Sequence, residues 1–233
     1  MTDVDFRRAR RPEQREARRR AILGAAAELL AGAPLAEISL RELARRVGLS
    51  KTNVVRYFET REAVFFALLN QSVEDWLAEL PAELPAELPA GDPAAVTGAL
   101  ARSPAGDPAA VTGALARSLA ARPLICELWS ALGTQLERNI SASAVRDFKL
   151  ANGANQARLA ELLGVRVKGL EPAAAREFVA LLILLVAGLW PFANPAPSVV
   201  EAIQDPRLAG SRVDFADRLG RALHVALTGL LAL

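Results

Sequence analysis

Residues 38–66 read I-S-L-R-E-L-A-R-R-V-G-L-S-K-T-N-V-V-R-Y-F-E-T-R-E-A-V-F-F, and three helix starts fall inside this stretch. Ser39, followed three residues later by Glu42, forms a capping box in which the hydroxyl takes one orphan N–H and the carboxylate reaches back to another. A short helix is therefore predicted from Leu40. Leu40, Leu43, Ala44 and Val47 recur at the spacing of one helical face. Gly48 ends the helix, because glycine reverses the chain there without steric cost. Ser50 caps a second short helix through Tyr57, and Thr60, with Glu62 in the following turn, caps a third. Two short helices across a tight glycine turn make a helix-turn-helix.

Towards the amino terminus, a helix is predicted from Pro12 to Leu30, with Ile22, Ala26, Leu29 and Leu30 on one face and Gly32 beyond its end. It should cross the next two helices and complete a three-helix core. Residues 1–11 carry Arg7, Arg8, Arg10 and Arg11 with almost nothing to bury and read as a disordered arm, either lying along phosphates or simply solvated. Residues 1–61 hold fourteen basic and eight acidic side chains, against fourteen and eighteen in the remainder. A net +6 on the motif and −4 on the rest is the footprint of a nucleic-acid module attached to a part that does not touch nucleic acid.

The stretch resembles the DNA-binding core of the TetR (tetracycline-repressor) family of transcriptional regulators. Ser39, Leu43-Ala44, Gly48-Leu49-Ser50, Tyr57-Phe58 and the Arg-Glu-Ala-Val run from Arg61 carry the resemblance, which covers roughly residues 15 to 70. Val55 stands where most members have a phosphate-contacting tyrosine, and Arg61 replaces a usual lysine. The motif places Lys51, Thr52 and Asn53, at the start of the second helix, against base edges in the major groove. Arg45, Arg46, Arg56, Tyr57 and Arg61 are expected on the DNA backbone, and Arg41 and Ser50 complete the expected contact set. The resemblance further implies a homodimer on a palindromic operator, joined through residues 172–190 and 212–231, and a small molecule that lowers operator affinity. The alternative is an architectural or partner-switched DNA-binding protein without an inducer.

The rest of the chain is read as that body. A fourth helix is predicted from Arg61 to Glu79, with Val64, Leu68, Trp76 and Leu80 inward. Residues 79–90 read E-L-P-A three times, and proline at every fourth position predicts an extended linker. An identical pair follows: P-A-G-D-P-A-A-V-T-G-A-L-A-R-S occupies 89–103 and again 104–118. Each copy has its own Asp-Pro helix start, but only the second runs on unbroken to Arg122, which makes it the expected body helix. Further helices are predicted at 123–138, from Ser141 or Ser143 to Leu163, at 172–190 and at 212–231, and no segment alternates like a strand. The expected fold is all-α: a head at 12–70, a connecting segment at 71–106 and a regulatory and dimerisation body at 107–233.

Within that body Cys126, Glu127, Trp129, Gln135, Phe148, Asn152, Asn155 and Phe178 are candidate pocket residues for a largely apolar ligand oriented by one or two polar contacts. One His, one Cys and no metal-spaced pair supply neither a nucleophilic site nor a metal site, so neither an enzyme nor a cofactor is expected. The apolar run from Phe178 to Trp190 falls short of the roughly twenty residues that cross a bilayer. With no apolar leader at the start, the cytoplasm is the expected compartment.

Overall fold

The computed structural model describes residues 3–85 and 106–233, with side chains from residue 13 onwards. In order, α1 spans Asp3–Gly32, α2 Leu40–Arg46, α3 Lys51–Val55, α4 Arg61–Glu83, α5 Pro108–Ala120, α6 Pro123–Ala131, α7 Ala142–Arg166, α8 Pro172–Ala193, α9 Pro197–Ala202 and α10 Phe215–Leu231. Among the described residues there is no strand. The fold is all-α. The first copy of the tandem repeat, 89–103, lies outside the described residues; the second forms the Asp107 cap and most of α5.

The chain forms two compact units, one comprising the chain to Gln71 with Leu132–Lys149, the other Ser72–Ala131 with Leu150–Leu233. In the first, α1 packs on α2 and α2 on α3, and Ile22, Ala26, Leu43, Ala44, Val54 and Phe58 are all buried. Residues 132–149 join this unit through polar and aromatic contacts, a grouping absent from a reading that gave all of 107–233 to the body. Phe148 stacks on Phe66 with ring centroids 4.1 Å apart. Asn70 Nδ2 donates to the Phe148 carbonyl at 3.4 Å, and the Ser141 N–H donates to Glu59 Oε1 at 3.1 Å. Hydrogen bonding from Ser141 holds the Glu59 carboxyl below the usual carboxylate range.

The second unit is centred on α5, which packs on α10, while α8 packs on α6 and α10. Small residues allow the close approach of α5 and α10: a Cβ at Gly220 would sit 3.5 Å from Ala116 Cβ and 3.9 Å from Gly113 Cα. Trp76 Nε1 donates to Ser118 Oγ at 2.8 Å, and the Trp76 and Trp129 rings meet edge to face at 6.1 Å. Trp190 lies edge-on to Phe215 and donates its Nε1 proton to Glu127 Oε2 at 2.9 Å.

Several element boundaries depart from the sequence expectations. α1 begins at Asp3 rather than Pro12, because helix-favouring Arg, Ala and Glu residues flank the proline on both sides. α4 does not give way to a linker at Glu79: it continues through Pro81 to Glu83. The lost hydrogen bond at Pro81 is offset by non-local contacts. Leu80 and Leu84 are buried, Arg122 Nη2 pairs with Glu79 at 2.6 Å and Glu83 at 2.5 Å, and Arg166 donates to the carbonyls of Pro81 and Pro85. The segment predicted as one helix at 123–138 ends α6 at Ala131 and widens into a π turn at Leu132–Leu136. α8 runs past Trp190 and through Pro191 to Ala193, and α10 starts at Phe215, where Asp214 Oδ1 accepts the Asp217 N–H at 2.8 Å.

Among the described residues α8 is the one helix long and apolar enough to cross a membrane, with a mean hydropathy of 1.9 over its best window and 33% of that window buried. Leu184 and Phe192 on α8 and Val225 on α10 are exposed, at 67%, 71% and 71%.

Candidate DNA-binding surface

α2 and α3 are set by two serines. Ser39 Oγ accepts the Glu42 N–H at 3.1 Å and Ser50 Oγ accepts the Asn53 N–H at 3.2 Å. Gly48 between them takes φ 65°, a left-handed conformation that side-chain-bearing residues rarely adopt. The second half of the capping box does not form: the Glu42 carboxylate turns to the Arg45 guanidinium, whose hydrogen bonds hold it below the usual carboxylate range. α3 is also shorter than expected, ending at Val55, with Arg56 and Tyr57 in the tight turn that follows.

Val54 is fully buried and Phe58 nearly so, so α3 is pinned from beneath while Lys51, Thr52, Asn53, Val55 and Arg56 face outward. Ser50 is exposed and spends an oxygen lone pair on its cap, which leaves its hydroxyl proton free to donate. Arg41 is exposed on α2. Arg45 and Arg46 are exposed too but paired, the first with Glu42 and the second with Glu28 at 2.9 Å. Such surface pairs are worth about 1 kcal/mol or less and exchange readily for a phosphate.

Arg61 is different. Its Nη1 donates to the carbonyls of Leu35, Ala36 and Ile38 at 3.3, 3.3 and 3.1 Å, and its Nε donates to Glu62 Oε1 at 3.2 Å. Glu62 is itself buried. These bonds fasten the Leu35–Glu37 turn to the start of α4, and a phosphate contact from Arg61 would have to compete with them.

Three groups on α1 that the sequence reading passed over share this surface. Gln14, Arg15 and Arg18 line a groove of about 430 Å³ together with Arg56 and Tyr57. Arg15 and Arg18 are one turn apart, and that helical spacing is the signal that could have found them. Arg19, on the same helix, lies over the Phe58 ring at 4.4 Å, a cation–π contact that ties α1 to the end of the motif.

The candidate pocket residues are dispersed. Gln135 and Phe148 belong to the first unit and the other six to the second. Cys126 is buried, donates its thiol to the Leu119 carbonyl at 3.4 Å, and is pushed by burial up to about 12. Glu127 accepts from Trp190. Phe178 is fully buried, Asn155 nearly so, and Asn152 half-buried. Trp129 is buried with no hydrogen-bond partner for its Nε1 among the described residues. The described pockets of the second unit are lined by other side chains, one by Glu79, Glu83 and Arg122, another by Arg117, Asp217, Arg221 and His224.

A serine-capped, outward-facing second helix beside an arginine groove, continued by a separate helical unit, defines a DNA-binding protein of the helix-turn-helix class. Residues 22–68 match the family described as bacterial regulatory proteins, tetR family, and residues 70–233 match the tetracyclin repressor-like C-terminal domain. The chain belongs to the TetR family, whose members are DNA-binding repressors, often ligand-responsive. It is 38% identical over 66 residues to the HTH-type transcriptional regulator RutR of Escherichia coli K12, a match spanning 28% of this chain and 31% of that protein. In fold it is similar to a TetR transcriptional regulator from Rhodococcus sp. RHA1, with a TM-score of 0.60 at 19% identity over 94% of this chain and 97% of that one. It is also similar to the fatty acid degradation regulator FadR from Bacillus halodurans, with a TM-score of 0.51 at 14% identity over 91% and 94% of the two chains.

Proposed function

We propose that the chain is a repressor that binds a palindromic operator as a homodimer through its head, residues 12–70, and is released by a small, largely apolar molecule bound in the body. The observation that carries the DNA reading is the outward-facing start of α3, with Lys51, Thr52 and Asn53 exposed above buried Val54. Those three side chains read base edges. Arg41, Arg45, Arg46, Ser50, Arg56 and Tyr57, joined by Arg15 and Arg18 of the adjoining groove, hold the phosphates. Selection of bound fragments from the host genome tests this: one enriched inverted repeat is expected, and sequence-independent enrichment would refute it.

The exposed apolar side chains of α8 and α10 support a two-fold interface, since Leu184, Phe192 and Val225 are large groups left open on the surface. The same interface accounts for the hydropathy of α8 without a bilayer. Light scattering should give twice the chain mass at micromolar concentration. A regulator of chromosomal DNA works in the cytoplasm.

Support for a ligand is the orphan N–H of Trp129 with Asn155 and Phe178, polar and apolar groups buried in one unit. α4 and α7 each contribute residues to both units and are the continuous elements through which occupancy of the body could alter the head. A coupling of about 1–3 kcal/mol would lower operator affinity about 5- to 150-fold, and operator DNA would weaken the ligand by the same factor. Tryptophan fluorescence screens for such a compound, as Trp76, Trp129 and Trp190 all lie in the second unit. A binder that leaves operator affinity unchanged would remove the inducer role for that compound.

A further inference from the structure

Val54 and Val55 are the same side chain in two environments: Val54 is fully buried, and Val55, the next residue of α3, is 43% exposed. Among the described side chains of the first unit Val55 is the one large apolar group left exposed, and it falls on the helix that presents Lys51, Thr52 and Asn53. At about 100° per residue, Thr52 and Arg56 stand roughly opposite Val54, with Asn53 on one flank and Val55 on the other. Arg56 keeps helical backbone angles as the C-cap, φ −69° and ψ −17°, so this arc is continuous. The exposed face of α3 is therefore polar along its middle and one side, and aliphatic along the other.

A valine at that place does little for the fold. An exposed β-branched residue favours helix less than alanine, leucine or arginine does, and α3 is only five residues long. What valine brings is stiffness. In a helix one χ1 rotamer dominates, so its two methyl groups stand in fixed directions and lose little freedom when something covers them. An isopropyl group offers neither a donor nor an acceptor. Of the four bases, thymine alone turns a methyl group into the major groove, whereas adenine and cytosine present amino donors there and guanine two acceptors.

We infer that Val55 is a specificity determinant of the operator, reading one thymine in each half-site by packing its methyl groups against the thymine C5 methyl. The inference rests on the function proposed above, in which α3 enters the major groove. The discrimination has two parts. Contact with the methyl favours thymine, and an isopropyl group pressed on the amino group of cytosine or adenine strips that group of water and returns no hydrogen bond.

The operator selected from genomic fragments supplies the test. Each thymine is replaced in turn, in both half-sites at once, by deoxyuridine, which lacks only the C5 methyl, and separately by cytosine. At one position deoxyuridine should weaken binding of the parent chain by about fourfold per half-site, the effect of one methyl group's burial from water, and cytosine should weaken it further. In Val55→Ala the deoxyuridine effect at that position should vanish, while the effects at all other thymines persist. Alanine favours the helix more than valine, so the melting temperature should not fall, and binding to random DNA should stay as it is. A fall in melting temperature, or an equal loss of affinity for random DNA, would make Val55 a structural or backbone residue and overturn the inference. Deoxyuridine effects that match in the two proteins at every position would also overturn it, as would an operator whose half-sites tolerate cytosine at every thymine. In each of those cases the selected operator, and with it the proposed function, would stand; a selection that enriches no repeat would overturn both.

Discussion

α3 and α5 begin alike and end in opposite roles. Each is started by a side-chain oxygen on a backbone N–H, Ser50 on Asn53 at 3.2 Å and Asp107 on Ala109 at 3.1 Å. Yet α3 buries Val54 alone, whereas α5 buries seven of its thirteen residues. A helix of five residues is too short to hold itself, so α3 depends on its cap and its one anchor, and leaves every other side chain exposed. The face of α5 is spent on its neighbours, and its contribution is stability. Under the proposed function, affinity and folding are thus carried by different helices and can be changed separately.

The largest separation should come from the body. Leu223 is fully buried on α10, the helix against α5, and Leu223→Ala should cost about 2–5 kcal/mol in urea unfolding. At temperatures where the variant stays folded, its operator affinity should match the parent's. An affinity loss there would show that the two roles are not separate.

Arg61 tests the clamp. Arg61→Ala leaves Glu62 buried without its cation and should cost the head about 3 kcal/mol. Proteolysis should then cut near the Leu35–Glu37 turn before the body opens. If stability is unchanged and only the salt dependence of binding falls, Arg61 is a phosphate contact after all.

Asn53→Ala removes a base-reaching side chain and leaves the backbone N–H that Ser50 caps. It should cost about 1–3 kcal/mol on the selected operator and almost nothing on random DNA, which competition binding measures directly. Arg56→Ala is the mildest change. It should weaken all sequences alike and reduce the slope of log affinity against log salt by about one unit, with no shift in melting temperature. A sequence-dependent loss from Arg56→Ala would move it from the backbone to the bases.

Ser39, Gly48, Ser50 and Thr60 were legible because a cap or a left-handed turn is a property of three or four neighbouring residues. Thr60 Oγ1 does accept the Ala63 N–H at 3.2 Å. The inward positions Val64, Leu68, Trp76 and Leu80 were legible for the same reason, as helical spacing is local. What local pattern could not contain is the partner that overrides it. Pro81 reads as a breaker until Arg122 and Arg166 arrive from 41 and 85 residues away in the chain. Arg61 reads as a surface cation until three carbonyls of the preceding turn surround it. In the candidate site, the residues that open α3 followed from the motif. The α1 contribution of Gln14, Arg15 and Arg18 depends on how α1 crosses the motif, and that crossing is set by core packing rather than by any neighbouring residue.

The buried thiol of Cys126 gives the body a built-in clock. Burial pushes its ionisation up to about 12, so the reactive thiolate is suppressed while the core is closed. Released from the core, the same group returns to an ordinary value near 8.5 and is open to alkylation. Alkylation of the intact protein therefore reports the open population of the second unit, with no introduced label. Run with and without operator DNA or a candidate ligand, the marking rate reports how tightly each holds the body closed.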